Sequence, residues 1–181
     1  MRYIMRWGLM RNTCPESIAE HSLQTAMIAH ALALMHNAAG GCVDANNVMA
    51  LAVYHETGEV ITGDLATPIK YFNPGIRDAY KAVEHIANDK MLSMLPADLR
   101  PHYAQYITGQ GRDAGEWALV KAADRICAYL KCVEELKTGN REFERAAQSV
   151  RQSIDAIDLE AVRRFMREFV PSFSLTLDEL N

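Results

Sequence analysis

The first residues contain no long apolar run. Met1 to Asn12 interleaves Arg2, Arg6 and Arg11 with its hydrophobic residues, which excludes a signal core or a membrane span in that stretch. We expect neither export nor membrane anchoring. Basic charge is not in excess either: 19 Lys and Arg stand against 23 Asp and Glu, for a formal net charge of -4. A nucleic-acid polymer is therefore not an expected partner, because its binders concentrate positive charge on a face; a local pocket for one phosphate stays open. Cysteine is scarce. Cys14, Cys42, Cys127 and Cys132 form no CxxC pair and lie in apolar helical patterns or beside turns, so they read as reduced thiols and predict a cytoplasmic protein. Low-complexity tracts and fixed-period repeats are missing, and no segment alternates apolar and polar residues between hairpin turns. A β architecture has nothing to build on.

What is present is ordinary globular composition, 49% hydrophobic and 23% charged over 181 residues, which predicts one folded domain spanning 1–181. Ser17-Ile18-Ala19-Glu20 fits a capping box, so a helix should follow, with Leu23, Met27 and Leu34 at helical spacing as far as Gly40-Gly41. Asp44 is placed to cap a second helix bearing Val48, Leu51, Ala52 and His55; Gly58 weakens that helix and Gly63 ends it. Gly63 to Pro68 reads as an ordered loop, since Pro68 lacks an amide donor and holds Thr67 extended. Ile76, Tyr80, Val83 and Ile86 predict another helix, as do Trp117, Val120, Cys127 and Leu130. Two more are expected over Glu142–Ile157 and Leu159–Val170. The fold class is all-α, a helical bundle with irregular loops.

Metal sites in such bundles are built from inward histidines and carboxylates on otherwise apolar faces. His21 opens the first helix, His55-Glu56 lies near the end of the second, and Asp124 interrupts the run Leu119 to Cys127. Each also has a plainer reading. A lone helical histidine often serves as a hydrogen-bonded core residue, Asp124 has Lys121 and Arg125 nearby to pair with, and neighbours on a helix diverge by about 100°.

Longer motifs surround these residues: Glu20-His21-Ser22, Tyr54-His55-Glu56, Gly58-Glu59-Val60, Thr62-Gly63-Asp64-Leu65, Thr67-Pro68, Lys70-Tyr71-Phe72-Asn73 and Lys121-Ala122-Ala123-Asp124. With them, the chain resembles the bacterial 5'-deoxynucleotidases of the HD-domain phosphohydrolase superfamily, from Arg6-Trp7 to Phe169-Val170-Pro171-Ser172-Phe173. The resemblance implies that His21, His55, Glu56 and Asp124 hold one divalent transition metal per chain. Glu56 stands where the family has aspartate; it offers the same hard oxygen one methylene farther out. Mixed nitrogen and oxygen donors suit Co or Mn, then Fe, Ni or Zn, better than Mg.

The resemblance further implies that Glu59 activates the attacking water, from the same helical face as His55 one turn along. Asp64 matches a second acidic position, catalytic or against the sugar. Arg6 and Trp7 match a pair that lies over the nucleotide, Arg6 binding phosphate or stacking and Trp7 crowding the 2' position; the plainer role for Trp7 is to cap the bundle core. The implied reaction converts a deoxyribonucleoside 5'-monophosphate to deoxynucleoside and phosphate. Two alternatives are a triphosphate hydrolase of the same superfamily and a nucleotide-binding module whose metal site Glu56 has impaired. A homodimer is expected, with Phe165 to Phe173 as a candidate contribution to its interface.

Overall fold

Side chains at the helix starts set the frame. In the computed structural model, which describes residues 1–180, Ser17 Oγ accepts the Glu20 amide while Glu20 Oε2 accepts the Ser17 amide at 2.8 Å. This capping box opens α1, Ile18–Ala38. Asp44 accepts the amides of Asn46 and Asn47 and opens α2, Ala45–Tyr54. Two single turns follow, α3 over Glu59–Thr62 and α4 over Thr67–Lys70. Asn73 caps α5, Pro74–Ser93, by accepting the Ile76 amide. After α6, Arg100–Ile107, Asp113 accepts the Glu116 amide at the start of α7, Ala114–Lys137. A 3-10 turn over Arg141–Phe143 leads into α8, Glu144–Asp155; α9, Glu160–Glu168, is followed by a second such turn, Val170–Ser174. Among the described residues there is no sheet, only an isolated antiparallel bridge between Met5 and Ser17. The all-α expectation holds.

α1 packs mainly against α2 and α7, and α7 continues onto α8. Leu32, Leu51, Leu119, Ile126 and Leu130 are fully buried where these helices meet, each stabilising the fold by about 1.5 to 3 kcal/mol. The small residues Ala26, Ala29 and Ala33 on the inner face of α1 let its backbone approach its neighbours closely. No helix among the described residues is long and apolar enough to cross a membrane.

Several expectations need correction. The second helix stops at Tyr54, well before Gly63, and Glu59 begins a separate turn, so His55 and Glu59 do not share one continuous helical face. The stretch after Gly63 is not all loop: Thr67–Lys70 closes a helical turn, because proline is tolerated in a first turn whose amides have no partner anyway. Leu23, Met27 and Leu34 do recur at helical spacing, yet they are 64%, 67% and 52% exposed; the buried face instead carries His21, Ser22, Thr25 and the alanines. Ile76, Val83 and Ile86 on α5 are exposed too. α6 was not anticipated. Phe165, Met166 and Val170 are buried in the chain's own core, which leaves Phe169 as the large apolar side chain of that helix end facing outward.

Candidate active site

His21 lies in the first turns of α1, on the face that meets α2 and α7. His55 follows the last residue of α2, and the chain turns there through Thr57 N to Tyr54 O and Glu59 N to Glu56 O. His55 itself keeps right-handed helical backbone angles, and the bonds of that turn span three residues. The His55 and Glu56 side chains both face Asp124, which α7 presents from its middle. His21 Nε2 lies 3.2 Å from Asp124 Oδ1 and 3.6 Å from Glu56 Oε1; His55 Nε2 lies 4.0 Å and 3.6 Å from the same two oxygens. The longer glutamate thus reaches the cluster.

The four groups fit a divalent cation. One ligand atom from each of His21, His55, Glu56 and Asp124 falls within 4.8 Å of all the others, and two imidazoles with two carboxylates form a donor set suited to first-row metals. His55 Nε2 and Glu56 Oε2 are buried without a hydrogen-bond partner, a costly arrangement unless something else satisfies them. His55 Nδ1 is 2.7 Å from the Ala52 carbonyl oxygen. Lys121 Nζ, 3.0 Å from Asp124 Oδ2, engages the carboxylate oxygen on the other side, so the plainer pairing expected for Asp124 and its place in the cluster coexist.

Charge is crowded here. Burial pushes the His55 imidazolium down to about 4, keeping the ring neutral as a metal ligand requires. Burial also raises Glu56, against the pull of His21 and Arg6. Glu59, buried beside Glu56 and Asp64, is pushed up to about 9, and one of its oxygens has no partner. Asp64 is raised by burial and drawn back by Arg6 and the Trp7 amide. Burial alone would raise Asp124, but Lys121, His21 and His55 hold it well below the usual carboxylate range. Positive charge delivered to this cluster would relieve the mutual repulsion.

Arg6 connects the cluster to a cavity. Its Nη1 lies 2.8 Å from His21 Nδ1 and 2.8 Å from Glu16 Oε2. Its side chain also lines a cavity of about 280 Å³, together with Trp7, Asp64, Thr67, Pro68 and the small residues Ala66 and Ala128. Trp7 stands at φ 61°, the left-handed region, which costs a residue with a Cβ about 1 to 2 kcal/mol. Its ring packs on Phe143 with centroids 5.3 Å apart, while its Nε1 is buried without a partner. Trp7 therefore caps a small satellite core and walls the cavity at once.

Residues 1–173 match the family described as 5'-deoxynucleotidase YfbR-like. The chain belongs to this family. Among its YfbR-like relatives, the 5'-deoxynucleotidase of Vibrio cholerae is 47% identical over all of this chain and 94% of its own length. The 5'-deoxynucleotidase YfbR of Escherichia coli is 48% identical over all of this chain and 92% of its own. Two solved structures share the fold of this YfbR-like chain. An HD-domain phosphohydrolase from Listeria innocua, 22% identical, superposes with a TM-score of 0.81 over 95% of this chain and 83% of its own. The HD phosphohydrolase of cyanophage S-2L, solved with dA and one catalytic Zn2+ ion, is 17% identical, with a TM-score of 0.68 over 97% of this chain and 93% of its own.

All eight residues singled out in the sequence are gathered in this region: the four candidate ligands, Glu59 and Asp64 in their electrostatic neighbourhood, and Arg6 and Trp7 with Asp64 on the cavity wall. Sequence reasoning did not find the rest of the wall. Leu9, Met10, Ala146, Ser149 and Val150 also line the cavity, and such residue types carry no chemical signal of their own.

Proposed function

We propose that this site hydrolyses deoxyribonucleoside 5'-monophosphates to deoxynucleoside and inorganic phosphate, using one divalent transition metal held by His21, His55, Glu56 and Asp124. Membership of a 5'-deoxynucleotidase family makes the reaction a phosphomonoester hydrolysis. The observation that carries the assignment to these residues is the convergence of His21, His55, Glu56 and Asp124 within 4.8 Å of one another, beside the cavity that Arg6, Trp7 and Asp64 line. A phosphate at the cluster with its nucleoside in the cavity would lie beside Arg6. Cobalt and manganese suit this mixed donor set, with Fe, Ni and Zn behind them.

A divalent cation held by His21, His55, Glu56 and Asp124 would supply Lewis acidity to a phosphoryl oxygen and a water, and would lower the pKa of nearby Glu59. Glu59 then orients a water and takes its proton as the water oxygen attacks phosphorus. The bond from phosphorus to the 5'-oxygen breaks, and the departing alkoxide takes up a proton. Asp64, whose carboxyl burial holds protonated more readily than usual, is assigned to that side of the substrate, against the sugar and its leaving oxygen. Arg6 offers planar charged donors to the phosphate. Trp7 crowds the 2'-carbon and disfavours a ribose hydroxyl.

The test is a metal-supplemented phosphate-release screen over ribo- and deoxyribonucleotides. Inorganic phosphate should come from deoxyribonucleoside monophosphates. Release of intact triphosphate from nucleoside triphosphates, with monophosphates inert, would sink the reading. We also take the protein to be a cytoplasmic homodimer. The exposed stripe Leu23, Met27 and Leu34 on α1 supports a second copy as the covering surface, and sedimentation velocity reads the mass directly.

A further inference from the structure

Trp7 is held in an unfavourable backbone conformation, so something must hold it. The residues that follow it form a strap fastened to the far half of α7. Thr13 donates its amide to Glu135 Oε2 at 2.9 Å and its hydroxyl to the same oxygen at 2.6 Å. Cys14 donates its amide to Glu135 Oε1 at 3.1 Å, and Lys131 Nζ donates to both Glu135 and the Cys14 carbonyl. Asn140 Nδ2 joins Glu135 Oε2 to the Arg11 carbonyl, both at 2.7 Å. Asn12 then reaches back to the Trp7 carbonyl at 3.3 Å. The carboxylate at the centre is 0% exposed, and Lys131 is buried beside it.

An ion pair so placed is a poor device for helix stability. Lysine precedes glutamate by four residues, the less favourable order in a helix, and desolvating both charges offsets much of their attraction. What the pair does accomplish is to supply acceptors to a strap from a distant part of the chain. That strap anchors the segment bearing Arg6 and Trp7, two of the residues assigned to the nucleotide.

We propose that Glu135, buried beside Lys131, is a positioning residue for sugar selection: it clamps Thr13 and Cys14 so that Trp7 stays at positive φ against the cavity. The assignment rests on the reading of Trp7 as the wall beside the sugar. Glu135 touches neither substrate nor metal ligands; its effect passes through the strap.

The experiment compares Glu135→Gln with Lys131→Met/Glu135→Leu, which removes both buried charges at similar volume, in holoenzyme of verified metal content. Three readouts are taken: kcat/KM on a deoxyribonucleoside monophosphate and its ribo counterpart, kcat/KM on phenyl phosphate, and acrylamide quenching of Trp7 in a Trp117→Phe background. Expected are stronger quenching, a loss of roughly ten- to a hundredfold on the deoxynucleotide, mainly in KM, and a narrowed deoxy-to-ribo ratio. Phenyl phosphate, which has no nucleoside, should lose far less. Unchanged quenching in both variants overturns the clamp, as does an equal loss on all three substrates. Trp7→Ala separates the two ideas: if it narrows the ratio and the clamp variants do not, the proposal fails alone. If it leaves the ratio unmoved, the wall reading fails and takes the proposal with it.

Discussion

His55 Nδ1 lies 2.7 Å from the carbonyl oxygen of Ala52, one turn back along α2. A carbonyl only accepts, so Nδ1 carries the proton and Nε2 keeps its lone pair, directed toward Glu56 and Asp124. The backbone thereby selects the tautomer a metal ligand needs. Because each of His21, His55, Glu56 and Asp124 contributes one ligand atom, alanine at any one of them should lower metal content severely, by at least about tenfold in affinity. Elemental analysis of purified variants checks this; full occupancy in His55→Ala or Asp124→Ala protein would remove the assignment.

Burial, and after it the charges of Glu56 and Asp64, raises the Glu59 pKa, but Glu59 is not among the four converging ligands. Glu59→Gln should therefore retain the metal and the fold while losing about 100- to 10,000-fold in kcat, the usual contribution of a positioned general base. Steady-state kinetics on protein of known metal content decides it. Near-normal turnover would transfer the base role to Asp64.

The same residue makes a prediction for the metal-free protein. Glu59 titrates near 9 in the folded chain against an ordinary 4.5. Between those values the folded state keeps a proton that the unfolded state has released, so stability falls as pH rises through the window. Glutamine cannot titrate. In excess chelator, Glu59→Gln should melt roughly 4 to 8 °C above the parent at pH 8, with the gap closing toward pH 5. Parallel Tm-against-pH curves would refute this cause.

Trp7 walls the cavity and packs on Phe143. An apolar wall rejects one added hydroxyl by about 1 to 3 kcal/mol, so the parent should prefer deoxyribonucleotides by roughly tens to a few hundredfold. Trp7→Ala should narrow that ratio and also weaken the deoxynucleotide through lost stacking. Matched kcat/KM values for ribo- and deoxyribonucleoside monophosphates in both proteins give the answer, and an unchanged ratio would leave Trp7 as a cap on the satellite core.

What the amino-acid sequence determined by itself is local. The capping box at Ser17 and Glu20 and the Asp44 cap rest on hydrogen bonds between residues a few positions apart, so their pattern is visible in a short window. The chemistry of the site was legible for a related reason: histidines and carboxylates on apolar faces, set in long motifs, announce themselves by residue type. Tertiary structure decided the rest. α1 has apolar residues on more than one face, and packing against α2 and α7 selected the face of alanines, Thr25 and His21 over the larger Leu23 and Met27, because small side chains permit close approach. It also decided that α2 would end at Tyr54, that His55 and Glu56 would meet His21 and Asp124, and that Glu135 would fasten the strap bearing Trp7. Those partners are far apart in the chain, and no local preference encodes them; they meet only when burial of the core brings their helices together.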